Sequence, residues 1–203
     1  MPIMAYVELT KPRALVMIVF TTVLAYLIAV PLEADMWVIL HTSIGVALGG
    51  GGSLALNQHM ERELDARMVR TASRPIPSGR ISPTAALIYG WLIMLAGYGY
   101  LWVMVNPLCS LATIVCGASY LWWYTPMKRR SSLSSFVGAI PGGMLPIMGW
   151  AAARGHLEIG AWVLFAILWL WQIPHALIIS QRHKADYESV GMKQLPIIAQ
   201  QLT

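Results

Sequence analysis

Asn57, Glu61 and Asp65 stand four residues apart in the stretch NQHMERELD, directly after a long apolar run. At 3.6 residues per turn, each step of four advances about 400°, so the three side chains leave one stripe of a helix. An amide and two carboxylates on one stripe are hard oxygen donors suited to a divalent cation such as Mg²⁺. The stripe lies where an apolar helix would meet water, and a cation held there is placed to grip a diphosphate. That points to chemistry on a lipid diphosphate. Arg70 and Arg74, again four apart, offer planar forks for phosphate oxygens, with Pro75 and Pro77 expected to end the helix soon after. Lys128 and Arg129, in the later segment YTPMKRR, are suited to neutralising a departing diphosphate. Taken alone, these interleaved charges would read as a solvated face of ion pairs. The stripe tips the reading toward a site.

A third charged segment, WQIPHALIISQRHKADYESVG, contributes Asp186 and Glu188. Two residues apart, they do not share a helical face, so they make a weak case for a second cation. His175 follows Pro174 inside an apolar run. A polar residue there must face the bundle interior or a cavity, as a hydrogen-bonded interior group, a haem contact or a proton relay. Cys109 and Cys116 share a helical face and read as small apolar residues; they are too far apart along one helix for a disulfide. No P-loop, no dinucleotide-binding glycine motif, no CxxC and no HExxH is present.

The elements that must position these groups are membrane helices. Of the 203 residues, 57% are hydrophobic and 11% charged, against about 25% charged in soluble domains. The expected fold is all-α, a multi-span transmembrane bundle, with six spans near 14–31, 36–57, 84–104, 107–124, 136–153 and 160–179. Pro12, Pro83, Pro107 and Pro126 lie near ends, whereas Pro141, Pro146 and Pro174 fall inside spans and predict kinks or local unwinding. The run Gly49 to Gly52 predicts either close helix packing or a segment where substrate nears the backbone. Every Lys and Arg except Arg154 falls before the first span, between spans two and three, between four and five, or after six, where Arg182, Lys184 and Lys193 lie. This bias places both termini and the basic loops in the cytoplasm, and it accounts for the net charge of +5 without nucleic acid.

Together these segments resemble the UbiA superfamily of intramembrane prenyltransferases, whose first motif, Asn-x-x-x-Asp-x-x-x-Asp, stands here as Asn57, Glu61 and Asp65. The resemblance is to the branch that farnesylates haem. It is carried by ELTKPR at 8–13, DARMVRTASRPIPSGRIS at 65–82, YTPMKRR at 124–130, GAIPGGMLPIMGW at 138–150, WQIPH at 171–175 and ADYESVGMKQLP at 185–196. It implies that Mg²⁺ holds farnesyl diphosphate, with Asn57, Glu61, Asp65 and Asp186 as metal-binding and catalytic residues. Arg70, Arg74, Lys128, Arg129 and Lys184 are then diphosphate contacts, and His175 is the haem-binding candidate. A vinyl group of haem B attacks the allylic cation and water completes the product, haem O. Arg182 stands four before Asp186, where the family's second motif has an acid, so a complete second metal site is not expected. The resemblance further implies one domain over residues 1–203 in the cell inner membrane. About six of a family-typical nine spans are present, as in a C-terminally truncated chain that self-associates or works beside a haem A synthase. Another UbiA-type aromatic prenyltransferase and a silent haem-binding scaffold stand as alternatives.

Overall fold

A computed structural model describes residues 2–192; Lys193 and the end of the last quoted motif lie outside them. The described residues form helices joined by turns, with no strand among them. In chain order these are α1 (Pro2–Leu9), α2 (Pro12–Ala29), α3 (Met36–Asp65), α4 (Pro83–Met104), α5 (Pro107–Ala118), a π-helical turn (Ser119–Tyr124), α6 (Thr125–Arg130), α7 (Ser134–Arg154), α8 (Ile159–Arg182) and α9 (Lys184–Ser189). Their starts follow from local chemistry. Proline opens α2, α4 and α5, where its missing N–H costs nothing. Asp35, Ser82 and Asn106 cap α3, α4 and α5 by accepting bonds from backbone N–H groups of the first turn. Gly155, with φ 69°, ends α7 in the left-handed conformation that a side chain would oppose.

Five helices, α2, α3, α4, α7 and α8, are each long and apolar enough to cross a membrane. The chain is a multi-pass membrane protein. The segment expected as one span over 107–124 is instead composite, twelve α-helical residues and then the π turn, which runs on into α6 from 125. The interior prolines do not break their helices. α7 runs through Pro141 and Pro146, and α8 runs through Pro174. The irregularity falls at 119–124, which holds no proline.

α3 is the organising rod. It extends about two turns past the apolar span predicted for it and carries the polar stripe to its last residue, Asp65. Its glycines bear out close helix packing. A Cβ on Gly52 would lie 2.6 Å from the Gly90 carbonyl oxygen, and one on Gly97 would strike the Gly49 backbone nitrogen, so α3 and α4 meet backbone to backbone. Gly49 and Gly50 also line an apolar cavity. α7 approaches α2 in the same way, at Gly149 against the Thr22 carbonyl. The Gln58 amide donates to the Leu9 carbonyl at 2.9 Å, and Arg80 grips Glu8 through both terminal nitrogens, tying α1 to α3 and the following loop.

Gly97→Val drives two β-methyls into the α3 backbone and is expected to cost about 1–3 kcal/mol. Thermal unfolding in detergent should show a lower midpoint than for Gly99→Val, since nothing lies within 4 Å of a Cβ at Gly99. Equal midpoints would contradict this packing.

Candidate active site

The stripe on α3 faces a polar cavity of about 260 Å³ at one end of the bundle. Asn57, Glu61 and Asp65 are 0%, 7% and 1% exposed, so these donors are taken out of bulk water. Each carries a cation from a different part of the chain. Lys11, at the start of α2, donates through Nζ to Asn57 Oδ1 at 3.0 Å. Lys128 of α6 donates to Glu61 Oε1 at 2.9 Å. Arg74, from the loop after α3, donates through Nη1 to Asp65 Oδ2. Buried charge is tolerated only when paired in this way. Thr71 Oγ1 donates to the Asp65 carbonyl at 2.9 Å, bending the loop so that Arg74 returns to the helix end.

The π turn orients the amide. Its wide pitch leaves the Tyr120 carbonyl to accept from Thr125 Oγ1 at 2.8 Å. Thr125 Oγ1 in turn accepts from Asn57 Nδ2 at 3.1 Å, which turns Asn57 Oδ1 toward Lys11. The same turn brings Tyr120 and Tyr124 to the cavity wall, with the Lys128 ammonium 4.6 Å from the centre of the Tyr124 ring. Both tyrosines also line a second, apolar cavity of about 200 Å³, walled by Val46, Gly49, Leu54, Pro141 and Met148 among others. A polar chamber therefore sits on an apolar one, with two phenol rings at the junction.

Asn57, Glu61, Asp65, Arg70, Arg74 and Lys128 all line the polar cavity. Arg70 and Arg74 do so from a turn-rich loop: the helix ends at Asp65, ten residues before Pro75, so their spacing is not a helical one. Asp186 stands behind Arg70, its Oδ2 3.9 Å from Arg70 Nε, and is not among the described residues that line the cavity. Arg129 lines a separate recess with Arg67, Glu63 and the back of Glu61. Lys184 pairs with Glu188 at 3.5 Å on α9. His175 is not an interior group: it is exposed, stacks on the exposed Trp171 with ring centres 4.6 Å apart, and lines a further recess.

Lys11, Tyr120 and Tyr187 are cavity residues that motif reading passed over. Lys11 carried a signal. A cation just ahead of a helix N-terminus opposes the helix dipole, and the following proline disfavours helical backbone there. The residue adopts φ 50°, the only positive φ at a non-glycine among the described residues, a strain of roughly 1–3 kcal/mol.

The chemistry of the donors fits a hard cation that arrives with its ligand. Glu61 Oε2 and Asp65 Oδ1 take no hydrogen bond from the described residues. Among those residues, no three His, Cys, Asp or Glu side chains form a ready cage. Mg²⁺ suits such a half-built site, since it commonly takes one or two carboxylates plus substrate phosphates.

Fold and site define a polytopic membrane protein with an acid-and-cation chamber that shares Tyr120 and Tyr124 with an apolar cavity. The chain belongs to the UbiA prenyltransferase family, whose profile matches residues 18–203. It is 46% identical over 203 residues to a protoheme IX farnesyltransferase of Solibacter usitatus, covering 95% of this chain and 69% of that protein. It is 39% identical to one of Opitutus terrae and 38% identical to one of Koribacter versatilis, covering 65% and 63% of those. The chain thus spans about two thirds of the length of these relatives. Its fold matches a structure of digeranylgeranylglyceryl phosphate synthase with a TM-score of 0.81 at 18% identity, over 97% of this chain and 68% of that one. It also matches a UbiA homologue from Archaeoglobus fulgidus bound to DMAPP and Mg²⁺, with a TM-score of 0.75 at 14% identity, over 95% of this chain and 68% of that one.

Burial pushes the Lys11 ammonium from 10.5 down to about 7, helped by the like charges of Arg74 and Lys128 and opposed by Glu61 and Asp65. Between about 7 and 10.5 the unfolded chain holds this proton and the folded chain sheds it. The unfolded state then binds more protons, so stability rises with pH across that window. Lys11→Met removes this component. The wild-type melting temperature should climb relative to the variant's as pH is raised from 7 to 10, and parallel curves would contradict the burial of the charge.

Proposed function

We propose that this chain is a single integral-membrane unit that transfers the farnesyl group of farnesyl diphosphate to a vinyl group of haem B, giving haem O. The observation that carries the reading is the polar chamber of Asn57, Glu61, Asp65, Lys11, Arg70, Arg74 and Lys128, stacked on an apolar cavity across Tyr120 and Tyr124. Farnesyl diphosphate has the same two-part chemistry. The names of the relatives supply the acceptor.

Ionisation of an allylic diphosphate moves negative charge onto the leaving group, so groups that bind that charge lower the barrier. Lys11, Arg70, Arg74 and Lys128 are assigned this task. Arg129 and Lys184, off the cavity, are not. Mg²⁺ held by Asn57 and the free oxygens of Glu61 and Asp65 would supply Lewis-acid neutralisation of the diphosphate. Asp186 acts behind Arg70, aiming the guanidinium. The tail lies in the apolar cavity, and the breaking bond falls at the junction beside Tyr120 and Tyr124, whose rings favour developing positive charge. The acceptor alkene must reach that junction.

Lys11, Asp65, Lys128 and Tyr187 meet at one end of the bundle, so the start of α2, the end of α3, α6 and α9 share a side. By the basic-residue bias, that side is cytoplasmic. Cysteine labelling should find position 70 cytoplasmic and position 156 external; the reverse would overturn the orientation.

Purified protein given haem B, farnesyl diphosphate and Mg²⁺ should yield a hydroxyethylfarnesyl haem by mass spectrometry. Asp65→Asn, which removes a charged ligand and unpairs Arg74, is expected to reduce turnover on the order of 100-fold. Full turnover in that variant would remove the metal assignment. Prenylation of a phenolic acceptor in place of haem would redirect the proposal to a different aromatic prenyltransferase.

A further inference from the structure

Between the π turn, α7, α8 and α9 lies a recess of about 150 Å³ that the ionisation chemistry leaves unused. Its polar lining comprises Tyr124, Ser135, Gln172, His175 and Tyr187. Tyr124 also walls both the diphosphate chamber and the apolar cavity, Tyr187 walls the former, and Gln172 the latter. Two glycines one turn apart on α7 hold the passage open. A Cβ on Gly138 would strike the Tyr124 ring, and one on Gly142 would strike the Gln172 amide nitrogen. The recess therefore touches the junction where the prenyl cation forms, on the side away from Asn57.

Its size decides what it holds. Sites for drug-sized ligands run to about 300–1,000 Å³, so a tetrapyrrole does not fit. Water takes about 30 Å³ a molecule and needs two to four polar partners, and the recess has room and partners for a few. His175 is a further pointer. It is an imidazole on a membrane helix, which marks function by default; it is exposed at the rim of the recess, which it lines, and its ring stacks on that of Trp171 at 17°.

We infer that this niche holds the water that ends the reaction, and that His175 is a catalytic residue taking its proton. The inference rests on the proposed transfer to a vinyl group. When the acceptor's π pair forms the bond to the prenyl carbon, positive charge passes to the acceptor carbon next to the ring. A lone pair of the niche water forms the carbon–oxygen bond there. One O–H bond breaks, its proton moves to the imidazole nitrogen, and a hydroxyl remains on the product. No oxidant or reductant is needed. Gln172 and Ser135 hold the water, and the Tyr124 ring keeps it from the farnesyl cation until the acceptor has reacted. Without the base, the acceptor cation's simplest alternative is to lose a carbon-bound proton, giving an unsaturated adduct one water lighter.

Two measurements test this. In the first, His175→Phe and His175→Gln are compared with wild type by mass spectrometry of the prenylated haem. The ratio of hydroxylated to unsaturated adduct should fall about 100-fold, the lower range for loss of a general base. An unchanged ratio, even at reduced total turnover, would leave His175 a structural residue and overturn the proposal. The second needs no turnover: an experimental structure of the protein in lipid nanodiscs should show ordered water between His175, Gln172 and Ser135. A lipid chain or a refolded side chain filling the recess would overturn it. Absence of any prenylated haem from wild type would sink the proposed function instead, leaving the second measurement to judge the niche.

Discussion

Three contacts, Lys11 with Asn57, Lys128 with Glu61 and Arg74 with Asp65, hold oxygen donors and cations together inside a membrane bundle. Neither partner of an ion pair can stay buried without the other. The loop after α3 and α6 are thereby held to one stripe of α3, where the start of α2 joins them through the hydrogen bond from Lys11 to the neutral Asn57 amide. The constraint is chemical as well as architectural, since these pairs act alongside the packing of α2 and α6 on α3. It also shapes the resting site, because the two carboxylates that would grip a cation are neutralised by Lys128 and Arg74, which would grip an anion. A ligand carrying both charges can replace each contact with an equivalent one, while a bare ion of either sign would strand half of the set.

Close helix packing makes this convergence feasible. Where α3 meets α4 and α7 meets α2, glycine lets backbone approach backbone, so the polar rod is clasped without bulky side chains filling its inner face. Elsewhere glycine creates space. Gly49 and Gly50 line the apolar cavity, and Gly138 and Gly142 leave the gap that Tyr124 and Gln172 enter. One residue type thus supplies both tight contact and adjacent void, according to which face of the helix it occupies.

Much of the fold was legible because membrane spans are local: each long apolar run, several with a proline near an end, announces itself. The stripe was legible for the same reason, its period being that of one helix. Legibility failed where partners were distant. Arg70 and Arg74 were read at helical spacing, but their loop bends because Thr71 reaches back to Asp65, a contact no periodicity reveals. Arg129 shares its segment with Lys128 yet points into another recess, because neighbours on a helix leave it about 100° apart. Lys11 was read as a topology residue, and its partner lies 46 positions away. Of the kinks or local unwinding expected at the interior prolines, unwinding is absent, since α7 and α8 run on as helix through them, while the one irregular turn among the described residues lies in a sequence without any.

That turn at Ser119–Tyr124 amounts to one surplus residue wound into an otherwise ordinary rod. Everything beyond it is out of phase by about 100° with the helix that precedes it. The lipid-facing register of α5 and the site-facing register of α6 are therefore set independently, as if the rod had been cut and rejoined at an angle. A chain lacking that one residue would still cross the bilayer and still look apolar on paper. It would present the wrong side of α6 to α3 and carry Lys128 away from Glu61.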